Sequence, residues 1–131
     1  MKRIFLLALL LSSCAQPGER EVSGVIDHAE WQAKFIGDAL KTIRERQSQG
    51  GRTSAKNVYW FEEGKLRLYD SQRGASGLHL LFNSDGHVTK FSKRDDGRAV
   101  AVEPAEVKEV LARAYHLAAE ARKALIVPAA R

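Results

Sequence analysis

The sequence predicts an α+β domain. Its centre is an antiparallel four- or five-stranded β-meander, flanked in the chain by an N-terminal and a C-terminal helix that pack on one sheet face. Three observations carry this expectation. Apolar residues recur at three- and four-residue steps over 28–47 and again over 104–125, the spacing of an amphipathic helix. Between those stretches lie short alternating segments, separated by Glu63-Gly64, Asp85-Gly86 and Asp96-Gly97, which have the chemistry of tight turns. The 131 residues suffice for one hydrophobic core.

Asp27-His28-Ala29-Glu30 has the form of a capping box and opens the first predicted helix, which runs to about Gln47. Trp31, Phe35, Ala39, Ile43, Ile36 and Leu40 fall on one half of that cylinder, and Gly50-Gly51 ends it. NVYWFEEGKLRLYD then reads as a hairpin about Glu63-Gly64, placing Glu62 opposite Lys65, Phe61 opposite Leu66, Trp60 opposite Arg67 and Tyr59 opposite Leu68. Alternation gives Tyr59, Phe61, Leu66 and Leu68 to the core and leaves Val58, Trp60, Glu62, Lys65, Arg67 and Tyr69 on the other face. SQRGASG (71–77) reads as a flexible loop. A second hairpin turns at Asp85-Gly86 with Leu78, Leu80 and Phe82 on one face, and its second strand fits more than one register. Asp95-Asp96-Gly97 makes a third turn and RAVAV (98–102) a fifth short strand. Glu103-Pro104 starts the last helix, whose stripe includes Val107, Val110, Ala114, Leu117, Ala121 and Leu125, and Pro128 closes it.

The N-terminus carries an address. Lys2 and Arg3 precede an uncharged apolar run, Ile4 to Leu11, too short to span a bilayer as a helix. Leu11-Ser12-Ser13-Cys14 follows, and Cys14 is the one cysteine of the chain. This resembles the lipobox of bacterial lipoproteins. The resemblance covers residues 1–14 and implies that Cys14 is lipidated, that the bond before it is cut, and that its new amine is acylated. Several acyl chains on one residue exceed what stable anchoring requires, at about 0.8 kcal/mol per buried CH2. Ala15, where an Asp would favour the inner membrane, points to the periplasmic face of the outer membrane. The expected organisation is a signal peptide over 1–13, anchor and tether over 14–26, one domain over 27–127 and a frayed tail over 128–131.

Composition narrows the function. The formal charge is +5, near +3 once the leader is removed, and the charges alternate in sign rather than forming a basic stripe. That argues against nucleic acid as a partner. With Cys14 committed to the anchor, the fold must stand without a disulfide. The histidines, His28, His79, His87 and His116, show no ligand spacing, since His79 would pair with Ser92 far from His87 near the turn, so no metal is expected. No nucleophile elbow or phosphate-cradling glycine loop occurs, and the paired carboxylates Glu62-Glu63 and Asp95-Asp96 lie in turns where neighbours point apart.

The expectation is therefore a non-enzymatic protein with no cofactor beyond the lipid on Cys14, held to the membrane and binding an envelope component, most simply a protein. The candidate surface is Val58, Trp60, Arg67 and Tyr69, because Trp, Tyr and Arg dominate binding hot spots. Two other accounts of that strip stand beside it: Arg67 shielding Trp60 by a cation–π contact, and an inverted sheet in which the strip is core. The alternative functions are an inhibitor or sensor of an envelope hydrolase acting through Ser71–Gly77, and a lipid-anchored hydrolase.

Overall fold

The computed structural model describes residues 18–126. The signal peptide, Cys14 and the tail over 128–131 lie outside the described residues. Eight strands follow one another: β1 (Glu19–Ile26), β2 (Ala29–Ile36), β3 (Ala39–Gln49), β4 (Arg52–Glu62), β5 (Lys65–Arg73), β6 (Ser76–Phe82), β7 (Val88–Asp95) and β8 (Arg98–Ala99). Each pairs antiparallel with the next in one sheet of order β1-β2-β3-β4-β5-β6-β7-β8. A single helix, α1 (Pro104–Ile126), completes the described fold.

The predicted first helix is thus two strands, and the expected four or five strands with two flanking helices become eight strands with one helix. The reason lies in the arithmetic of the pattern. A step of four residues keeps a side chain on one helix face, but four is also even, so it keeps a side chain on one strand face. Trp31 and Phe35 satisfy both periods. Ala29 and Ala33 complete the strand pattern: β2 alternates buried Ala29, Trp31, Ala33 and Phe35 with Glu30, Gln32, Lys34 and Ile36. The turns enforce this outcome. Asp27 and His28 both have positive φ (52° and 67°), the signature of a type I′ hairpin turn rather than a helix cap. Gly37 (φ 61°) takes the first central position of the β2–β3 turn, where a type II′ turn calls for glycine.

The segment expected to tether the domain also changes character, because 19–26 pair with β2 along their whole length as β1. The expected loop 71–77 divides between β5 and β6 around a tight Gly74-Ala75 turn, and Arg73 pairs with Ser76. RAVAV contributes only Arg98–Ala99 to the sheet.

Register was legible near the turns and lost beyond them. Glu62 pairs with Lys65 and Phe61 with Leu66, as alternation predicts, but Trp60 then pairs with Leu68 and Tyr59 with Tyr69. Arg67 is an extra residue, a β-bulge, and everything after it changes face. Leu68 therefore leaves the core and Tyr69 enters it. Similar shifts leave Lys41, Ser54 and Thr89 unopposed. Bulges bend strands and increase their twist, which lets the sheet curl round α1. The helix packs against β1, β3 and β5, and Lys93 on β7 meets Glu106 at 2.6 Å.

The start of α1 follows its sequence signal. Pro104 opens the helix, the Glu103 N–H donates to Glu106 Oε1 at 2.9 Å, and the Glu106 N–H donates back to the Glu103 carbonyl at 3.0 Å. Its buried side, Val110, Ala114, Leu117, Ala118 and Ala121, is mostly alanine, so the backbone can approach the sheet closely. Tyr59, Phe35, Ile43, Leu66, Leu80 and Leu117 are the largest fully buried side chains of this core.

Candidate functional site on the outer sheet face

Strand alternation gives the sheet two faces, and α1 covers one. The other face is built in lateral rows of cross-strand neighbours. One row runs Lys34, Thr42, Trp60, Leu68, Leu81, Lys90 across β2 to β7. The next runs Gln32, Arg44, Val58, Asp70, His79, Ser92 over the same strands. Val58, Trp60, Leu68 and Leu81 thus form one apolar strip on the face away from the helix. Trp60 is 40% exposed and the other three are half-buried.

Of the four residues the sequence singled out, two sit in this strip. Val58 and Trp60 face outward. Arg67 occupies the bulge, where its guanidinium donates to Glu62 at 2.6 Å and to the Phe82 carbonyl at 3.0 Å. Tyr69 is buried, with its ring centroid 5.1 Å from that of Tyr59. Leu68 and Leu81 were missed. Plain alternation with Leu80 and Phe82 carries Leu81 to this face, whereas the signal for Leu68 is indirect: Leu66 and Tyr69 can both reach the core only if one intervening residue is extra.

The covered face holds a polar cluster among apolar neighbours. Glu45, on β3, accepts from Asn57 Nδ2 (3.0 Å), the Tyr59 hydroxyl (2.8 Å) and Arg113 Nε and Nη2 (2.9 and 2.6 Å). Arg113 also donates to Asp27 at 2.9 Å, which ties α1 to the β1–β2 turn. Burial, then the Glu45 charge, pushes the Tyr59 phenol far above its ordinary range, and burial raises Tyr69 as well. Trp31 Nε1 and Asn57 Oδ1 are buried without a hydrogen-bond partner. Four bonds converge on one carboxylate, so the cluster pins helix to sheet.

A cavity of about 310 Å³ on the outer face brings Asp70, His79 and Ser92 together with Arg94 at the β5–β6 tip. Asp70, His79 and Ser92 are consecutive members of one row, the residue types of an acyl-transfer triad. The geometry falls short of that chemistry. His79 Nδ1 is 3.5 Å from Asp70 Oδ1, both side chains are more than two-fifths exposed, and among the described residues no hydrogen bond joins His79 to Ser92. His28 lies in a turn, His87 is an exposed turn residue and His116 is exposed on α1. Among the described residues no three His, Cys, Asp or Glu side chains are grouped to hold a metal ion.

No protein-family model, no curated protein and no solved structure matches the chain.

Proposed function

We propose that the chain is a lipid-anchored envelope protein whose domain works as a non-enzymatic docking module. It binds a protein partner on the outer sheet face. The observation that supports this most directly is the apolar strip Val58, Trp60, Leu68 and Leu81, laid across three strands on the face α1 leaves bare. Monomeric proteins keep contiguous apolar surface small, and a patch with an aromatic at its centre and charges at its margin is the usual anatomy of an interface. Arg44 and Asp70 flank Val58 and Lys90 lies beside Leu81, so the complementary surface would be apolar at its centre and carry charges of both signs at its edge. The leader supports the anchor: a basic start, a short apolar run and Leu-Ser-Ser-Cys ending at Cys14.

Two measurements test the two halves separately. Intact mass with palmitate labelling of wild type and Cys14→Ser reads the anchor: a lipid adduct on a chain that begins at residue 14, absent from the variant, supports it. An unlabelled full-length chain overturns it. A photo-crosslinking residue at position 81, compared with position 98 on β8, reads the surface. One defined adduct at 81 that is lost in Trp60→Ala, kept in Trp60→Phe and absent at 98 supports docking on the strip. Equal adducts at both positions, or none, exclude it.

A further inference from the structure

The same face carries a second feature, which adjoins the apolar strip at Val58 and shares Arg44 with its margin. Across β1 to β4 the outward rows bound a groove of about 640 Å³. Its outward side chains include Ser23, Gln32, Arg44, Arg46 and Lys56, with Glu30 as the one outward carboxylate. Arg46 and Lys56 are direct cross-strand partners, and Arg44 is two residues from Arg46 on the same face. Like charges set opposite each other in an antiparallel pair are destabilising. Glu30 answers only part of this charge: it binds Arg46 at 2.7 Å, while Arg44 and Lys56 have no ion-pair partner among the described residues. Glu45 lines the groove too but faces inward and belongs to Arg113.

From this arrangement we infer that the groove is a binding site for a phosphate-bearing anion. Three cations to one carboxylate leave about two positive charges, which matches a phosphate monoester or diphosphate and exceeds what a single carboxylate would neutralise. Two guanidinium forks suit bidentate contact with phosphate oxygens, and Lys56 adds a point charge. The Ser23 hydroxyl and Gln32 amide are neutral donors on the same wall. The groove lies within the ~300–1,000 Å³ of small-molecule sites and is larger than a lone phosphate, so the phosphate would be the end group of a bigger ligand. A phospholipid whose headgroup is a phosphate monoester and a soluble phosphate ester share this chemistry.

The test is calorimetric titration of inorganic pyrophosphate into the full chain held in dodecyl maltoside micelles, with acetate as the control anion. Pyrophosphate should bind at one site and acetate should not. Arg44→Ala and Lys56→Ala should each weaken binding by about tenfold, whereas Arg98→Ala on β8 should leave it unchanged. Glu30→Gln removes the competing carboxylate and should tighten binding several-fold, a change of sign that lost folding cannot mimic. No pyrophosphate binding, or equal binding by wild type, Arg44→Ala and Lys56→Ala, overturns the site. Doping the micelles with phosphatidic acid, whose headgroup is a phosphate monoester, separates the sources. Loss of the pyrophosphate heat assigns the site to a lipid headgroup, and an unchanged titration assigns it to a soluble ester.

Discussion

Glu45 and Arg46 are consecutive on β3 and face opposite sides of the sheet. Each has an oppositely charged partner at nearly the same distance: Glu45 meets Arg113 at 2.6 Å, and Arg46 meets Glu30 at 2.7 Å. Only the surroundings differ. The Glu45 side chain is 1% exposed under α1, whereas those of Arg46 and Glu30 are 56% and 63% exposed. Distance alone would rank the pairs as equals, but water ranks them far apart. Removing a partner from the inner pair leaves a charge that cannot be hydrated; removing one from the outer pair leaves a charge already half in solvent.

The sharpest break of that comparison is Arg113→Ala. It strands the buried Glu45 carboxylate and should cost about 3–5 kcal/mol, a fall in melting temperature of well over ~10 °C for a domain of this size. Circular dichroism melts read it directly. A loss below about 1 kcal/mol would show that water already reaches Glu45 and that the two pairs are alike. The double replacement Glu45→Leu with Arg113→Met sharpens the point. It removes both charges and should recover part of the loss, but not all, because the Tyr59 hydroxyl and the Asn57 amide lose their acceptor, at about 1–3 kcal/mol each where no water replaces it.

Next in size is Gly24→Ala. A methyl group there would stand 2.7 Å from the Trp31 ring, which lies against this strand on the covered side. Overpacking of that kind costs about 1–3 kcal/mol. Ser23→Ala, the preceding residue on the outward side, should stay within about 0.5 kcal/mol. Thermal melts of the two variants compare inner and outer faces one residue apart, and equal effects would contradict the packing described.

The inner face should also respond to alkali. Burial, with the Glu45 charge behind it, raises the Tyr59 phenol, and burial raises Tyr69. The folded protein therefore keeps these protons at a pH where the unfolded chain has lost them. Their contribution is fully present below a pH of about 10, the ordinary tyrosine value, and is lost progressively as pH rises above it. Urea midpoints taken from pH 8 to 11.5 should fall at the top of that range. Tyr59→Phe should flatten the fall while lowering the midpoint at pH 8, since Glu45 loses one donor. A midpoint that fell just as steeply in Tyr59→Phe would assign the slope to other groups.

How much of this was readable depended on where local chemistry was unambiguous. Glu63-Gly64 and Asp96-Gly97 announced their turns, and each pairs a residue of φ 53° with a glycine. Pro104 and the alanine-rich stripe announced α1. The 28–47 stretch misled because Trp31 and Phe35 stand four apart, a step common to both periods, while Ala39 and Ile43 extend the spacing only across the Gly37-Asp38 turn, and Ala39 is exposed. The candidate surface was half legible for a different cause. A bulge adds one residue without any composition of its own, and Arg67 looks like an ordinary strand residue. It sends Leu68 outward and Tyr69 inward, a change no alternation count can foresee. The inner cluster was invisible because it joins Glu45 to Arg113 across 68 positions of chain.

The smallest expected effect belongs to the outer pair. Glu30→Gln removes the partner of Arg46 at a site where both side chains are mostly in water. Exposed pairs contribute about 0–1 kcal/mol, and Lys56 opposite Arg46 places the loss toward the upper end of that range, because without Glu30 no carboxylate offsets their like charges. The melting temperature should therefore move by no more than a few degrees, and raising the salt concentration should shrink the difference further by screening both the lost attraction and the Arg46–Lys56 repulsion. A loss comparable to that of Arg113→Ala would mean that the groove is closed to solvent, and the distinction between the two faces would then rest on something other than hydration.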